Sequence, residues 1–137
     1  RKSELKDWEN IDVELAAAIQ ATAKRIRGTP GRPIRISLAA IAREVGHKAW
    51  LEHRLHKLPL TSKALGDCLE SVEEFLIRRV RWAEEYYFQK GALPMRSYFE
   101  AHAGTRHTSG KRPAVQKEID AALGRLNTRL SSTLARL

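Results

Sequence analysis

The chain has 137 residues, of which 42% are hydrophobic, with one cysteine and a formal net charge of +9. That length suits one domain or two very small ones and buries about 68% of the unfolded surface without covalent staples. The recurring Leu, Ile, Val and Ala exclude disorder over most of the chain, Cys68 alone excludes an internal disulfide framework and points to a reducing compartment, and the longest apolar run, Leu15 to Ile19, is far too short to span a bilayer.

Helical periodicity dominates and strand alternation is nearly absent. The first helix is expected from Asp7 to Arg27, with Trp8, Ile11, Leu15, Ala18, Ile19 and Ile26 on its apolar face and Gly28 and Pro30 to stop it. "GTPGRPIR" follows as a loop, because its prolines and glycines forbid regular structure. The second helix runs from Ser37, whose hydroxyl can cap the first turn, to Val45, and Gly46 turns the chain out of it. A third is expected from Lys48 to Leu58, with Leu51, Leu55 and Leu58 as its buried seam, and a short fourth over Ser62–Leu69. Then comes the central helix, with Ser71 and Glu74 as a capping box and Gly91 at its end. Its two apolar stripes, Val72/Leu76/Val80/Ala83/Tyr87 and Phe75/Trp82/Tyr86, call for burial by two neighbours. A short helix, Met95–Ala103, ends at Gly104. "TRHTSGKRP" reads as a flexible, basic loop, and the last helix starts near Pro113, with Val115, Ile119, Ala122, Leu126, Leu130, Leu134 and Leu137 on one side.

The positive charge is unevenly spread. Residues 28–63 and 96–137 carry +5 each, against +1 for 1–27 and −2 for 64–95. Two separated basic blocks suit a polyanion, most simply nucleic acid; the plainer reading is a solvated surface that aids solubility. The pattern helix, Gly, basic connection, helix occurs twice, from 37 and from 95. The first copy has the parts of a helix-turn-helix: a supporting helix with small Ala42 at the crossing, Gly46 in the turn, and Leu51 and Leu55 to bury the second helix. Glu52 stands where an apolar side chain is usual, so either the turn is one residue tighter or the helices cross differently. On this reading His47, Lys48, His53, Arg54 and Lys57 face a major groove, while Arg35 and Ser37 take phosphates. In the second copy Arg96, Arg106, Lys111, Arg112 and Lys117 are the candidate contacts, through a loop able to follow a backbone or enter a minor groove. The competing reading is a helical hairpin with a basic skin. "PGRP" and "KRP" share the core of minor-groove AT-hook peptides, though a Pro/Gly turn accounts for both.

Catalysis is not expected, and neither a catalytic nor a metal site is assigned. His53 and His56 share a helical spacing and Cys68 follows, but no fourth ligand stands at a zinc-site spacing. The adjacent pairs Glu73/Glu74 and Glu84/Glu85 diverge on a helix, and there is no phosphate-binding Gly loop or nucleophile elbow.

The runs "RPIRISLAAIAREVG", "LEHRLHKLPLTSKAL" and "ESVEEFLIRRVRWAEEYYFQKGALPMRSYFEAHAG" resemble, over about residues 30 to 105, the C-terminal part of the TnsD family, target-site selectors of Tn-seven-like transposons related to TniQ proteins. The shared residues are Leu55, Lys57, Leu58, Pro59 and Thr61, then Glu70, Ser71, Glu73, Phe75, Ile77, Arg78, Arg79, Trp82 and Ala83, then Arg96, Ala103 and Gly104. His56 departs from a frequently acidic position, and Ser62-Lys63 follows Thr61 in place of the family's pattern. The resemblance implies sequence-specific binding of double-stranded DNA through helix-turn-helix elements, target-site selection in DNA transposition, and recruitment of the transposition ATPase regulator and transposase in the bacterial cytoplasm. It also implies that the family's Cys/His zinc-binding region precedes this stretch, so no cofactor is expected within it. A chain that opens at Arg1 without Met fits a piece of a longer protein. The alternative is a helical module that docks the ATPase regulator without touching DNA. For Arg78 and Arg79 the expectation is a structural one, pairing with acids on the central helix.

The fold expected is an all-α helical bundle with two helix-turn-helix-like units around the central helix: 1–95 for the first helix, first unit and central helix, and 96–137 for the second unit and last helix, packed as one compact domain.

Overall fold

A computed structural model describes residues 7–136, which form seven α-helices and no strand. Leu137 lies outside the described residues. The chain divides into two compact units: residues up to Pro30 with Ile34–Glu70, and Gly31–Pro33 with Ser71 onward.

In the first unit, α1 (Trp8–Gly28) starts at Asp7, whose side chain accepts from the Asn10 amide at 3.2 Å. Leu15, Ile19, Ala23 and Ile26 are buried at helical spacing; Ala16 takes the inward place expected of Ala18, which is exposed. α2 (Leu38–Val45) is capped by Ser37, whose Oγ accepts from the Ala40 amide at 3.1 Å. Gly46 (φ 75°) and His47 (φ 56°) both have positive φ, so two residues suffice to turn the chain into α3 (Lys48–His53). The turn is thus the tighter of the two forms open to the sequence, and it puts Leu51 inside and Glu52 outside.

The expected eleven-residue third helix is not formed. Arg54 leaves the helix at φ −122°, and Leu55–Lys57 close as a 3-10 turn. Pro59 then pushes Leu58 out of the helical region and is itself set to start a helix. α4 accordingly runs from Pro59 to Cys68, not from Ser62. Leu58 offers α4 no side-chain cap. Asp12 of α1 supplies it from a distance: its carboxylate accepts from the amides of Leu60 at 2.9 Å and Thr61 at 2.7 Å. Ile36 and Leu58 are fully buried in the same core as Ile19, Ile41 and Leu51. Glu70 ties the segment before α2 in place, accepting from the Ile36 amide at 2.9 Å, while its own amide donates to the Ile36 carbonyl at 2.9 Å.

In the second unit, α5 (Val72–Lys90) carries the complete capping box between Ser71 and Glu74. α6 (Arg96–Ala103) and α7 (Pro113–Ala135) both pack on it. Leu76, Val80 and Ala83 meet Phe99, Ala103, Val115, Ile119 and Ala122 in one core. That packing groups the central helix with the residues that follow it. The second α5 stripe is only partly covered, since Tyr86 is 36% exposed. The seam of α7 holds through Leu126, and beyond Leu130 the helix is exposed. Loop 105–112, expected to be flexible, is pinned instead. Thr105 is fully buried, Thr108–Lys111 form a 3-10 turn, and Gln116 donates to the Gly110 carbonyl at 2.7 Å. Gly110 lies so close to Thr105 that a Cβ there would stand 1.8 Å from the Thr105 carbonyl oxygen.

Candidate nucleic-acid interface

In the first unit the exposed cations gather around the α2–α3 turn. Lys48, at the start of α3, has a side chain 74% exposed, and its contact with Glu52 at 3.6 Å is a solvent-screened pair of little energetic weight. Arg43 of α2 is exposed and lines a cleft of about 240 Å³ with Lys48, Ala39 and Ala42. Arg43 is not among the contacts expected from the sequence; its charge on the supporting helix, four residues after Ala39, was the available signal. His53 and Arg54 are exposed where α3 ends, with His53 3.6 Å from Glu52. Because α3 stops there, His53, Arg54 and Lys57 do not share the single helix face expected of them.

Other candidates have structural work. The His47 ring stacks on Trp50 with centroids 3.9 Å apart, and Trp50 meets Trp8 edge-on at 5.6 Å. Lys57 lies 5.0 Å above the Trp8 ring, a cation–π contact that leaves its ammonium group exposed. Ser37 spends its oxygen on its own helix, and Arg35 donates through Nε to the Glu70 carbonyl at 3.1 Å.

In the second unit the sequence block splits into spent and free charge. Arg96 pairs with Asp120 and Glu100 and donates to Gln116, so it braces α6 against α7. Arg125 and Arg129 bind Glu84 at 2.8 and 3.1 Å, and Arg81 binds Glu118 at 3.0 Å. Glu84 is only 7% exposed, so the α5–α7 contact is laced by neutralised charge. Arg106, Lys111, Arg112 and Lys117 are exposed and have no carboxylate partner among the described residues. They mark the pinned loop and the first turns of α7 as the basic surface of this unit.

The expected pairing of Arg79 with acids is absent: its Nε and Nη2 are buried without a partner. No group of three or more His, Cys, Asp or Glu among the described residues is placed to hold a metal. None of the described helices is long and apolar enough to cross a membrane.

Residues 2–65 match the family model of TnsD, Tn7-like transposition protein D. The match is consistent with a TnsD-related region, and it takes in α1 to α3 and the start of α4. It begins well before the stretch singled out in the sequence and ends before the central-helix motif at Glu70. Within it, Leu58, Pro59 and Thr61 are the residues that end the 3-10 turn, start α4 and dock on Asp12. No curated protein and no solved structure matches the chain.

Proposed function

We propose that this chain binds double-stranded DNA sequence-specifically and selects target sites in DNA transposition, leaving strand transfer to other proteins. The observation that carries this is the coincidence of the TnsD match at 2–65 with the unit that presents Arg43 and Lys48 on one cleft beside the α2–α3 turn. The match implies a role in transposition target selection; the cations supply the chemistry for a phosphate backbone. The first turn of α3, with Lys48, approaches base edges, and Arg43 and Arg54 hold flanking phosphates. Arg106, Lys111, Arg112 and Lys117 give the second unit phosphate contacts of its own. The partners are the transposition ATPase regulator and transposase, and the setting is the bacterial cytoplasm. Electrophoretic shifts of the whole chain against a library of duplexes test this reading. Retention by a subset of sequences is expected; retention by the ATPase regulator and by no duplex would replace the reading with that of a protein-docking module.

A further inference from the structure

The second unit contains a half-buried cation with no ion pair among the described residues. Arg79 of α5 sits with its guanidinium carbon 5.5 Å from the centroid of the Phe75 ring, and its Nε and Nη2 are shut from solvent and donate to nothing. Gly104 makes room for it: a Cβ there would stand 2.6 Å from Nη2. His102 of α6 is stacked on Trp82, with centroids 4.9 Å apart and planes 7° from parallel, and on Tyr86 at 4.1 Å. Its Nε2 is likewise buried and unpartnered. Arg32, Trp82, Ala101 and His102 line a cleft of about 160 Å³. Arg32 is exposed, and no hydrogen bond or ion pair holds it among the described residues. Burial, then Arg32, holds the Arg79 guanidinium below its ordinary value, and burial, then Arg32 and Arg79, does the same to His102. The charged neighbours that lower these two groups are the cations Arg32 and Arg79. Buried polar groups are ordinarily satisfied, and buried charges are paired. The other half-buried arginines on α6 and α7, Arg96 and Arg129, have their carboxylates.

We propose that Arg79, His102 and Arg32 form a binding site for a phosphate group. A phosphate offers several acceptor oxygens to two guanidinium forks and one imidazole N–H, whereas a lone carboxylate would leave donors idle. Its source is the DNA backbone or free phosphate; the first rests on the function proposed above. The site sits at the end of α6, and the chain continues directly into Arg106 and the basic loop of the same unit.

The test uses the whole chain, with inorganic phosphate and a short duplex as separate probes. The readouts are the His102 imidazole resonances over a pH series, duplex affinity against salt, and thermal stability without ligand. In the wild type, either probe should raise the His102 pKa. Arg79→Met should abolish that response, lower duplex affinity several-fold and reduce the salt slope by about 1, while the ligand-free melting temperature does not fall. Arg79→Lys, which keeps the charge, should restore the slope. A lower melting temperature for Arg79→Met, with both probes binding as before, would overturn the site in favour of a structural arginine. If Lys48→Glu weakens duplex binding, Arg79→Met does not, and His102 ignores phosphate, the site fails while the DNA reading stands. If no duplex binds but inorganic phosphate moves His102 through Arg79, the site stands with free phosphate as its ligand and the DNA reading fails. A response to a glutamate-rich peptide alone would also overturn it.

Discussion

Asp12→Ala should destabilise the first unit more than any exposed substitution, although Asp12 lies on a helix surface pattern that gives no hint of it. The side chain is 3% exposed and its two oxygens take the free amides of Leu60 and Thr61 in the first turn of α4. Hydrogen bonds to a charged group contribute about 1.5–3 kcal/mol each, and burial of the carboxylate offsets part of that sum, so the expected net cost is about 3 kcal/mol. Urea unfolding followed by tryptophan emission measures it. In a Trp82→Phe background the remaining tryptophans, Trp8 and Trp50, both report on this unit. The pH dependence supplies a second check. Burial pushes the Asp12 carboxyl up, but the Leu60 and Thr61 amides and the Thr61 hydroxyl more than offset this and hold it below its ordinary value. Its contribution is therefore complete above the unfolded carboxyl pKa of about 3.9 and is lost as pH falls through the lower folded value. The gap between wild type and Asp12→Ala should close in strong acid, and Asp12→Asn, which retains one acceptor, should fall between them at neutral pH. A cost for alanine below about 1 kcal/mol, or a gap that stays constant into strong acid, would refute the reasoning.

Two further substitutions probe the second unit, read by Trp82 emission with Trp8 and Trp50 replaced by phenylalanine. Ser71→Ala removes the oxygen that accepts from the Glu74 amide at 3.0 Å and should cost about 1 kcal/mol; no change would mean that the capping box is idle in solution. Gly110→Ala forces a Cβ against the Thr105 carbonyl and should cost about 2 kcal/mol or more, with altered amide signals along 105–112 in NMR spectra; a neutral result would show that the loop is not pinned.

The local parts of the fold were legible because local chemistry decides them. Ser37, Gly46, Ser71 with Glu74, Gly91 and Gly104 act within one or two turns of where they stand, and all bound helices as the residue types require. Most of the apolar seams of α1, α5 and α7 followed from periodicity, and the all-α class with them; Ala18 and the last turns of α7 did not. What escaped depends on distant partners. Asp12 reads as an ordinary charge on α1 until α4 brings its amides across. The leucine spacing, which continues to Leu58, predicts a longer third helix than the one that ends at His53. For the candidate site, a count of basic residues could not separate Arg96 and Arg125, which face carboxylates, from Arg106 and Lys117, which face solvent. Nor could it show that Arg79 has no ion pair among the described residues, with its Nε and Nη2 buried and unpartnered.

The salt dependence of duplex affinity, measured for the whole chain and for the Arg43→Glu, Lys48→Glu double variant, tests the central claim most directly. Binding through neutralised phosphates predicts that log K falls linearly with log salt, and that the double reversal lowers affinity at least about tenfold and cuts the slope by about 2. An affinity indifferent to salt, or the same for both proteins, would contradict a DNA-binding role for this cleft.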